Sequence, residues 1–295
     1  MNKYFMLDID LDAGTAEKKD VSELFREFIG GTGVATALLG EMNPDLDPYD
    51  RRAPIIFATG PFSSVFPVAT KTVAMFKSPL SGNLGESHAG GRLALSMFGA
   101  GFHVIRIVGK SDFPCCLEIE GDNFIVHRGS SLKGMSALAV ERVLRDHYKS
   151  DYKRSIVRTG PAGERLSPIA CATVDSSRHF GRLGLGGVMG SKNIKAMVVS
   201  GPNYWKLENP GPFNAYYSKL YEAVVKSDTM KKYHDLGTPI NVIPLSKING
   251  LPTRNFSQGF FESAEQISGE AFAEKHLSQQ IACAHCQCGC IHMAT

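Results

Sequence analysis

The chain contains 295 residues, of which 43% are hydrophobic and 21% are charged. These fractions are typical of globular proteins and exclude disorder, collagen-like repeats or a coiled coil as the main architecture. The net charge is only +3, from 32 basic and 29 acidic residues, which argues against a nucleic-acid binder. No run of 18 apolar residues occurs, which argues against a membrane span.

The first two thirds of the chain carry patterns typical of strands alternating with helices. Residues 4–11 alternate between apolar and polar side chains, which predicts a half-buried strand. Its acidic residues break any signal-peptide core, so we expect a cytoplasmic protein. Asp20 is a predicted helix N-cap, with Glu23 completing a capping box. Further strands are predicted at 55–58, 70–76, 104–108, 116–119, 124–127, 155–158, 169–174 and 196–200, and helices at 34–40, 93–98 and 137–147.

The pattern changes after residue 200. Three prolines at positions 202, 210 and 212 indicate a boundary, and apolar residues at helical spacing follow it. We therefore predict an α+β fold, with a sheet-rich domain at 1–208 and a mostly helical segment at 209–295.

Two glycine-rich segments are predicted as loops. Residues 82–91 are polar and precede a helix, whose N-terminus could hold an anion. Residues 181–192 contain five glycines in ten positions, and such backbone either turns tightly or presents amide groups to an anion. In the second segment, Arg182 and Lys192 would add positive charge for a phosphate. The spacing matches neither a Walker loop nor a dinucleotide fingerprint, so both interpretations stay open.

A dense cysteine cluster lies near the end of the sequence. Cys283, Cys286 and Cys290 have the spacing Cys-x-x-Cys-x-x-x-Cys, with Cys288 between them. Such a run can bind an iron–sulfur cluster, or zinc with His285 or His292 as a further ligand. The other three cysteines, Cys115, Cys116 and Cys171, are next to predicted strands and are expected to be structural.

Five sequence strings, taken together and in this order, resemble the aldehyde ferredoxin oxidoreductase family. They are Gly30-Gly31-Thr32-Gly33, Ala58-Thr59-Gly60-Pro61, Lys77-Ser78-Pro79-Leu80-Ser81-Gly82, Gly160-Pro161-Ala162-Gly163-Glu164, and the run from Gly181 to Ala196. The resemblance extends through Asn255-Phe256 into the cysteine cluster. It implies a sheet-rich N-terminal domain that cradles two pterins, which hold one tungsten or molybdenum atom, with Mg bridging the pterin phosphates and a [4Fe-4S] cluster nearby.

The resemblance also implies cofactor-contacting residues. They are Lys71, His88, Ala89, Gly90 and Arg182, to which the glycine-rich run adds Gly184, Gly186 and Lys192. Lys71 and His88 stand where the family resemblance leads us to expect arginine and asparagine, and a lysine cannot make a bidentate contact. Glu86 and His88 are the candidates for a catalytic acid or base, and no other residue is assigned that role.

In the cysteine run, the resemblance favours a [4Fe-4S] cluster held by Cys283, Cys286 and Cys290. Cys288 is either a fourth ligand or a bystander, and its close spacing favours a bystander. The chain is shorter than we expect for the family, so a second chain could supply the remaining half.

The implied function is oxidation of aldehydes to carboxylic acids, with electrons passed through the cluster to ferredoxin. The alternatives are a cofactor-binding or electron-transfer remnant without turnover, or a zinc-binding module.

Overall fold

The computed structural model describes residues 3–204 and 209–295, and these residues form two compact units. Unit 1 contains residues 3–65 and 69–204, and unit 2 contains residues 66–68 and 209–295. The predicted domain boundary at residue 208 lies outside the described residues. Within the described ranges, none of the helices combines the length and the apolar character needed to cross a membrane.

Unit 1 is built on two mixed sheets of six strands each. The strands of sheet 1 are β1 (Phe5–Asp10), β2 (Thr15–Asp20), β3 (Ile55–Thr59), β4 (Thr72–Lys77), β5 (Leu84–Ala89) and β6 (Val104–Val108). Their spatial order is β2-β1-β6-β3-β4-β5, in which β1 and β6 are parallel and all other neighbours are antiparallel. Strand β5 is therefore an edge strand.

Sheet 2 repeats this arrangement. Its strands are β7 (Cys115–Glu120), β8 (Asn123–Arg128), β9 (Ser155–Thr159), β10 (Ala172–Val174), β11 (Arg178–Phe180) and β12 (Ile194–Ser200). The order is β11-β10-β9-β12-β7-β8, and only β12 and β7 pair in parallel.

Apolar packing joins the two sheets and their helices. The helices of unit 1 are α1 (Ser22–Phe28), α2 (Thr32–Gly40), α3 (Leu93–Ala100), α4 (Ala137–His147), α5 (Pro161–Glu164) and α6 (Leu185–Ser191), with a 3-10 turn at Ser130–Leu132. The inner faces of both sheets share one core with α3 and α6. Helices α1 and α2 cover the other face of sheet 1, and α4 covers the other face of sheet 2. Burial of these faces is the main stabilising contribution.

Unit 2 is mostly helical. It contains α7 (Pro210–Val225), α8 (Asp228–Leu236), α9 (Val242–Lys247), α10 (Gly269–Lys275) and 3-10 turns at Thr238–Asn241 and Ala264–Ile267. An antiparallel ribbon of β13 (Leu277–Ile281) and β14 (Ile291–Ala294) flanks the cysteine run. The ring of Phe66 packs against Phe213 and Tyr216 of α7. Two mixed sheets followed by helices confirm the predicted α+β class.

Both glycine-rich loop predictions are wrong in part. Most of the first segment forms β5, because its small residues face inward: a Cβ atom on Gly85 would lie 2.8 Å from the ring of Phe76. Most of the second segment forms α6, which begins after Gly184 in the left-handed conformation at φ 88°. Glycine therefore allows close packing at Gly85 and a left-handed turn at Gly82, Gly91 and Gly184.

The predicted capping box of the first helix is also wrong. Asp20 ends β2, a strand of polar residues that the alternation did not indicate. Its carboxylate oxygen Oδ1 accepts the N–H of Ser22 at 2.9 Å, so it closes the turn between strand and helix. Val21 occupies the N-cap position and makes no side-chain capping bond.

Candidate cofactor-binding site

Two of the glycine-containing strings meet at one end of sheet 1. The N–H of Gly31 donates to the carbonyl of Thr59 at 3.0 Å, which fixes the start of α2 beside the end of β3. The next residue, Thr32, donates its hydroxyl to Glu86 Oε1 of β5 at 2.9 Å. The start of α2 is therefore anchored both to β3 and to the edge strand.

The second glycine-rich segment contacts the inward face of β5 and the turn that precedes this strand. The hydroxyl of Ser78 donates to the carbonyl of Leu183 at 2.9 Å, and the N–H of Arg182 donates to the hydroxyl of Ser87 at 3.3 Å. Residues 82–91 and 181–192 thus converge within unit 1.

Five of the predicted cofactor-contacting residues lie around this convergence: Lys71, His88, Ala89, Gly90 and Arg182. Strand β4 begins directly after the lysine and runs antiparallel to β5, so the first residue of β4 pairs with the last residue of β5. The side chains of Lys71, His88 and Arg182 are exposed, whereas Ala89 and Gly90 are buried. An exposed basic surface over buried small residues can accept an anionic, flat cofactor.

The carboxylate of Glu86 is the centre of a hydrogen-bonded group. Its Oε1 atom lies 2.7 Å from Nε2 of His88 and also accepts the hydroxyl of Thr32. These two bonds, with the positive charge of Arg182 nearby, hold the pKa of Glu86 below its usual value. Thr32 belongs to the first resemblance string, but nothing in the sequence indicated its contact with Glu86.

A cavity of about 370 Å³ adjoins this group, between α2 and the turn that precedes β5. Its lining includes Thr36 and Leu39 of α2 and Leu84 of β5. Thr36 lies one helical turn after Thr32, and Leu84 lies on the same face of β5 as Glu86. The cavity therefore lies beside the hydrogen-bonded group, on the same helix and strand, and is lined by other residues of these two elements.

Lys192 lies elsewhere and has a structural role. Its side chain is fully buried, and its Nζ atom donates to the carbonyls of Arg51 at 2.8 Å and Gly109 at 3.3 Å. Burial lowers the pKa of this ammonium group to about 8. Because its hydrogen bonds are directed to main-chain carbonyls, the structure does not support a direct cofactor contact.

Gly184 and Gly186 are likewise explained by packing. A Cβ atom on Gly184 would lie 2.2 Å from the carbonyl oxygen of Pro168, and one on Gly186 would lie 2.4 Å from that of Cys171. The N–H of Gly186 donates to the carbonyl of Ala170. We therefore leave Gly184, Gly186 and Lys192 out of the proposed binding set.

The fourth and fifth strings pack against each other. A Cβ atom on Gly190 would lie 2.0 Å from the carbonyl oxygen of Gly163, so α5 and α6 approach backbone to backbone. Lys195, at the start of β12, forms an ion pair with Glu164 at the end of α5. The residues of these two strings therefore stabilise the framework behind the site.

The cysteine run forms a loop between β13 and β14 in unit 2. Cys283, Cys286 and Cys290 are half-buried, and Cys288 is buried. Burial and the three neighbouring thiols raise the pKa of Cys288 to about 11. In the described parts of the chain, no three His, Cys, Asp or Glu side chains are grouped closely enough to hold a metal ion. The cysteine thiols of the loop are suitable ligands for an iron–sulfur cluster, but their sulfur atoms would have to move closer together to bind one.

The two histidines considered as zinc ligands have other contacts. The carbonyl of His285 accepts the N–H of Val68 at 2.8 Å. The ring of His292 stacks on Phe272, and its Nε2 atom lies 2.8 Å from the carbonyl of His234. Both contacts tie the ribbon to its surroundings within unit 2.

The remaining cysteines lie in unit 1. Cys115 and Cys116 are buried in β7, and burial raises their pKa values to about 11 and about 12, as expected for structural thiols. Cys171 precedes β10 and is exposed, so the prediction that it packs as a small apolar residue is wrong.

Comparisons with known proteins show which family the chain resembles. Residues 6–201 match the model of the aldehyde ferredoxin oxidoreductase N-terminal domain, and residues 215–295 match that of domains 2 and 3 of the same family. The chain is 34% identical over 292 residues to a tungsten-containing aldehyde ferredoxin oxidoreductase of Pyrococcus abyssi, covering 97% of this chain and 47% of the relative. The corresponding Pyrococcus horikoshii protein is 33% identical with the same coverage.

Two more distant proteins are also similar to this chain, one in sequence and one in fold. An aliphatic sulfonate oxidoreductase WOR-like subunit of Pyrococcus furiosus is 26% identical over 79% of this chain and 38% of its own length. The solved active-site complex BamBC of benzoyl-coenzyme A reductase, in complex with 1,5-dienoyl-CoA, superposes with a TM-score of 0.81 at 22% identity. It covers all of this chain and 48% of that one. The chain spans about half the length of the relatives it matches, and it belongs to the aldehyde ferredoxin oxidoreductase family.

Proposed function

We propose that this chain is the cofactor-binding part of an oxidoreductase that converts aldehydes to carboxylic acids. In that reaction an aldehyde and water give the acid, two protons and two electrons, and the electrons pass to ferredoxin. The supporting observation is the convergence of residues 82–91 and 181–192, in a chain that matches tungsten-containing relatives over 97% of its length. We place the protein in the cytoplasm.

The residues around the end of β5 would hold a pterin cofactor. Lys71 and Arg182, together with Mg, would bind its phosphate groups, and Ala89 and Gly90 would approach the flat ring system through their main chain. His88 would make a directional contact with the ring. When bound, the tungsten or molybdenum centre supplies the redox chemistry, while the protein supplies binding and orientation.

Cys283, Cys286 and Cys290 would hold a [4Fe-4S] cluster in unit 2, with Cys288 as a bystander. We expect replacement of any of the three by serine to abolish cluster iron, because thiolates are the cluster ligands. Cys288→Ser should retain it, and Cys171→Ser, an exposed thiol of unit 1, is the matched control. The measurement is iron and labile sulfide per chain after anaerobic purification. Loss of iron in Cys288→Ser would assign that residue as a ligand.

The proposed activity is tested on anaerobically purified protein in two steps. Tungsten, molybdenum and pterin content first show whether the cofactor is bound. Aldehyde-dependent reduction of a viologen dye then measures turnover. Bound metal without turnover, both alone and with a chain corresponding to the remaining part of the relatives, would contradict an aldehyde oxidoreductase.

The second candidate is a cofactor-binding or electron-transfer protein without turnover. It is favoured by one observation, namely that the loop between β13 and β14 offers four cysteine thiols of the kind that bind an electron-transfer cluster. Activity that appears only when a second chain is added would identify a two-chain enzyme. Stoichiometric zinc without labile sulfide would instead indicate a zinc-binding module.

A further inference from the structure

The contact between His88 and Glu86 specifies where the imidazole carries its proton. A neutral imidazole has one N–H group, and an ionised carboxylate only accepts hydrogen bonds. The His88 Nε2 atom lies 2.7 Å from Glu86 Oε1, so Nε2 must be the protonated nitrogen. The other ring nitrogen, Nδ1, is then an acceptor.

Glu86 is itself fixed by an independent contact. Thr32 donates its hydroxyl to the same oxygen, Oε1, at 2.9 Å. Thr32 is the first residue of α2, whose position is held by the bond from Gly31 to Thr59 and by the burial of Val34 against sheet 1. The carboxylate therefore has a defined orientation, although its side chain is 36% exposed.

The histidine ring lies where a ligand can reach it. Its side chain is 45% exposed, and it shares the outward face of the edge strand with Glu86 and Leu84. Leu84 lines the adjoining cavity of about 370 Å³. Arg182 is close enough to Glu86 to influence its ionisation, so the same surface also carries positive charge.

We propose that Thr32, Glu86 and His88 form a hydrogen-bonded relay that presents the unprotonated Nδ1 atom of His88 as an acceptor for an N–H group of the bound ligand. Glu86 and Thr32 are positioning residues, and His88 is the ligand contact. The ligand class is a heterocycle with ring or amino N–H donors; its assignment as a pterin rests on the proposed function, whereas the relay does not.

The relay is tested on the full chain by nitrogen NMR of the histidine rings at a pH where they are neutral. We expect the shifts of His88 to report the Nε2–H form in the wild type and in Thr32→Ser, which keeps the hydroxyl. Thr32→Val and Glu86→Ala should move them towards the averaged values of a free imidazole. His127, whose Nε2 lies 2.6 Å from Glu118, is the internal control and should not change.

The acceptor role is tested with a tetrahydropterin as the probe. In asparagine the amide oxygen can occupy the position of Nδ1, whereas in glutamine it reaches only the position of Nε2. We therefore expect His88→Asn to bind within about twofold of the wild type. His88→Gln and His88→Ala should weaken binding about 3- to 10-fold, the effect of one hydrogen bond.

Three outcomes decide the inference. An Nδ1–H form in the wild type, or identical nitrogen shifts in the wild type, Thr32→Val and Glu86→Ala, would overturn the relay. Equal pterin binding by His88→Asn and His88→Gln would overturn the acceptor role. A wild type that shows the relay but no pterin binding would support the relay and contradict the proposed cofactor instead.

Discussion

At the scale of single residues, His103 shows how burial sets ionisation in unit 1. Its ring lies 4.8 Å from that of Tyr4, 5.7 Å from Phe25 and 6.3 Å from Phe98. Its Nδ1 atom accepts the N–H of Phe5 at 3.4 Å. This apolar environment lowers the pKa of His103 to about 4, because burial disfavours the charged form.

The stability of the protein should therefore decrease between about pH 6.5 and 4. In that window the unfolded chain binds a proton at His103 that the folded chain does not, so acid favours unfolding. The contribution is present above pH 6.5 and amounts to at most about 3 kcal/mol. We expect His103→Phe to flatten the pH dependence of the denaturation midpoint over this range. Parallel curves for the wild type and the variant would contradict the buried neutral histidine.

The sequence indicated which charged residues could belong to the site, but it could not indicate whether each of them is buried or exposed. Lys192 and Arg182 lie in the same glycine-rich run, yet the first is fully buried against carbonyl oxygens and the second is exposed beside β5. Only the tertiary fold separates them. The structure places His88 near the convergence, and its role there stays a prediction. Thr32 bonds to Glu86, the partner of His88, from a position 54 residues away, and no local pattern in the sequence could indicate that contact.

At the scale of elements, small residues let α5 and α6 approach each other closely. A Cβ atom on Gly163 would lie 2.4 Å from the carbonyl oxygen of Gly186, in addition to the contact between Gly190 and Gly163. Such distances are far below van der Waals contact, so an alanine at either place forces the backbone to move. This packing holds α6 against β9 and β12 behind the site.

Alanine substitutions at two helical glycines should separate the effect of close backbone packing from that of helix propensity. We expect Gly190→Ala to lower the free energy of unfolding by about 1–3 kcal/mol, since its methyl group would lie 2.0 Å from the oxygen of Gly163. Gly40→Ala is the matched control, because nothing lies within 4 Å of its Cβ position in α2. It should leave stability unchanged or raise it by up to about 1 kcal/mol. Equal effects in urea denaturation would refute the packing argument.

Periodicity predicted the elements whose faces are distinctly apolar or polar. The helix at 137–147 was predicted at its observed bounds, because one face packs on sheet 2 while the other is charged. Strand β2 was missed because it is an edge strand of polar residues, and β5 because its inward residues are small. In both strands the structure is imposed by pairing with a neighbour and not by local pattern.

At the scale of the whole molecule, the two units differ in how much apolar surface they bury. Unit 1 contains nearly all of the buried hydrophobic residues. In the described part of unit 2, α7 and α8 have no buried residue, and Ile248 and Phe256 are 74% and 84% exposed. Exposed apolar surface of this kind is typical of an interaction surface.

This difference should be visible in amide hydrogen exchange of the full chain. Opening free energies follow local burial, so we expect the strands of both sheets to be protected for hours while α7 and α8 exchange within minutes. The glycine-rich α6 serves as the control, because it is shorter than α7 and α8 but is buried. Addition of a polypeptide corresponding to the remaining part of the Pyrococcus relatives should slow exchange in α7 without changing β3. Equal protection of α7 and β3 in the chain alone would show that unit 2 is stable as it stands.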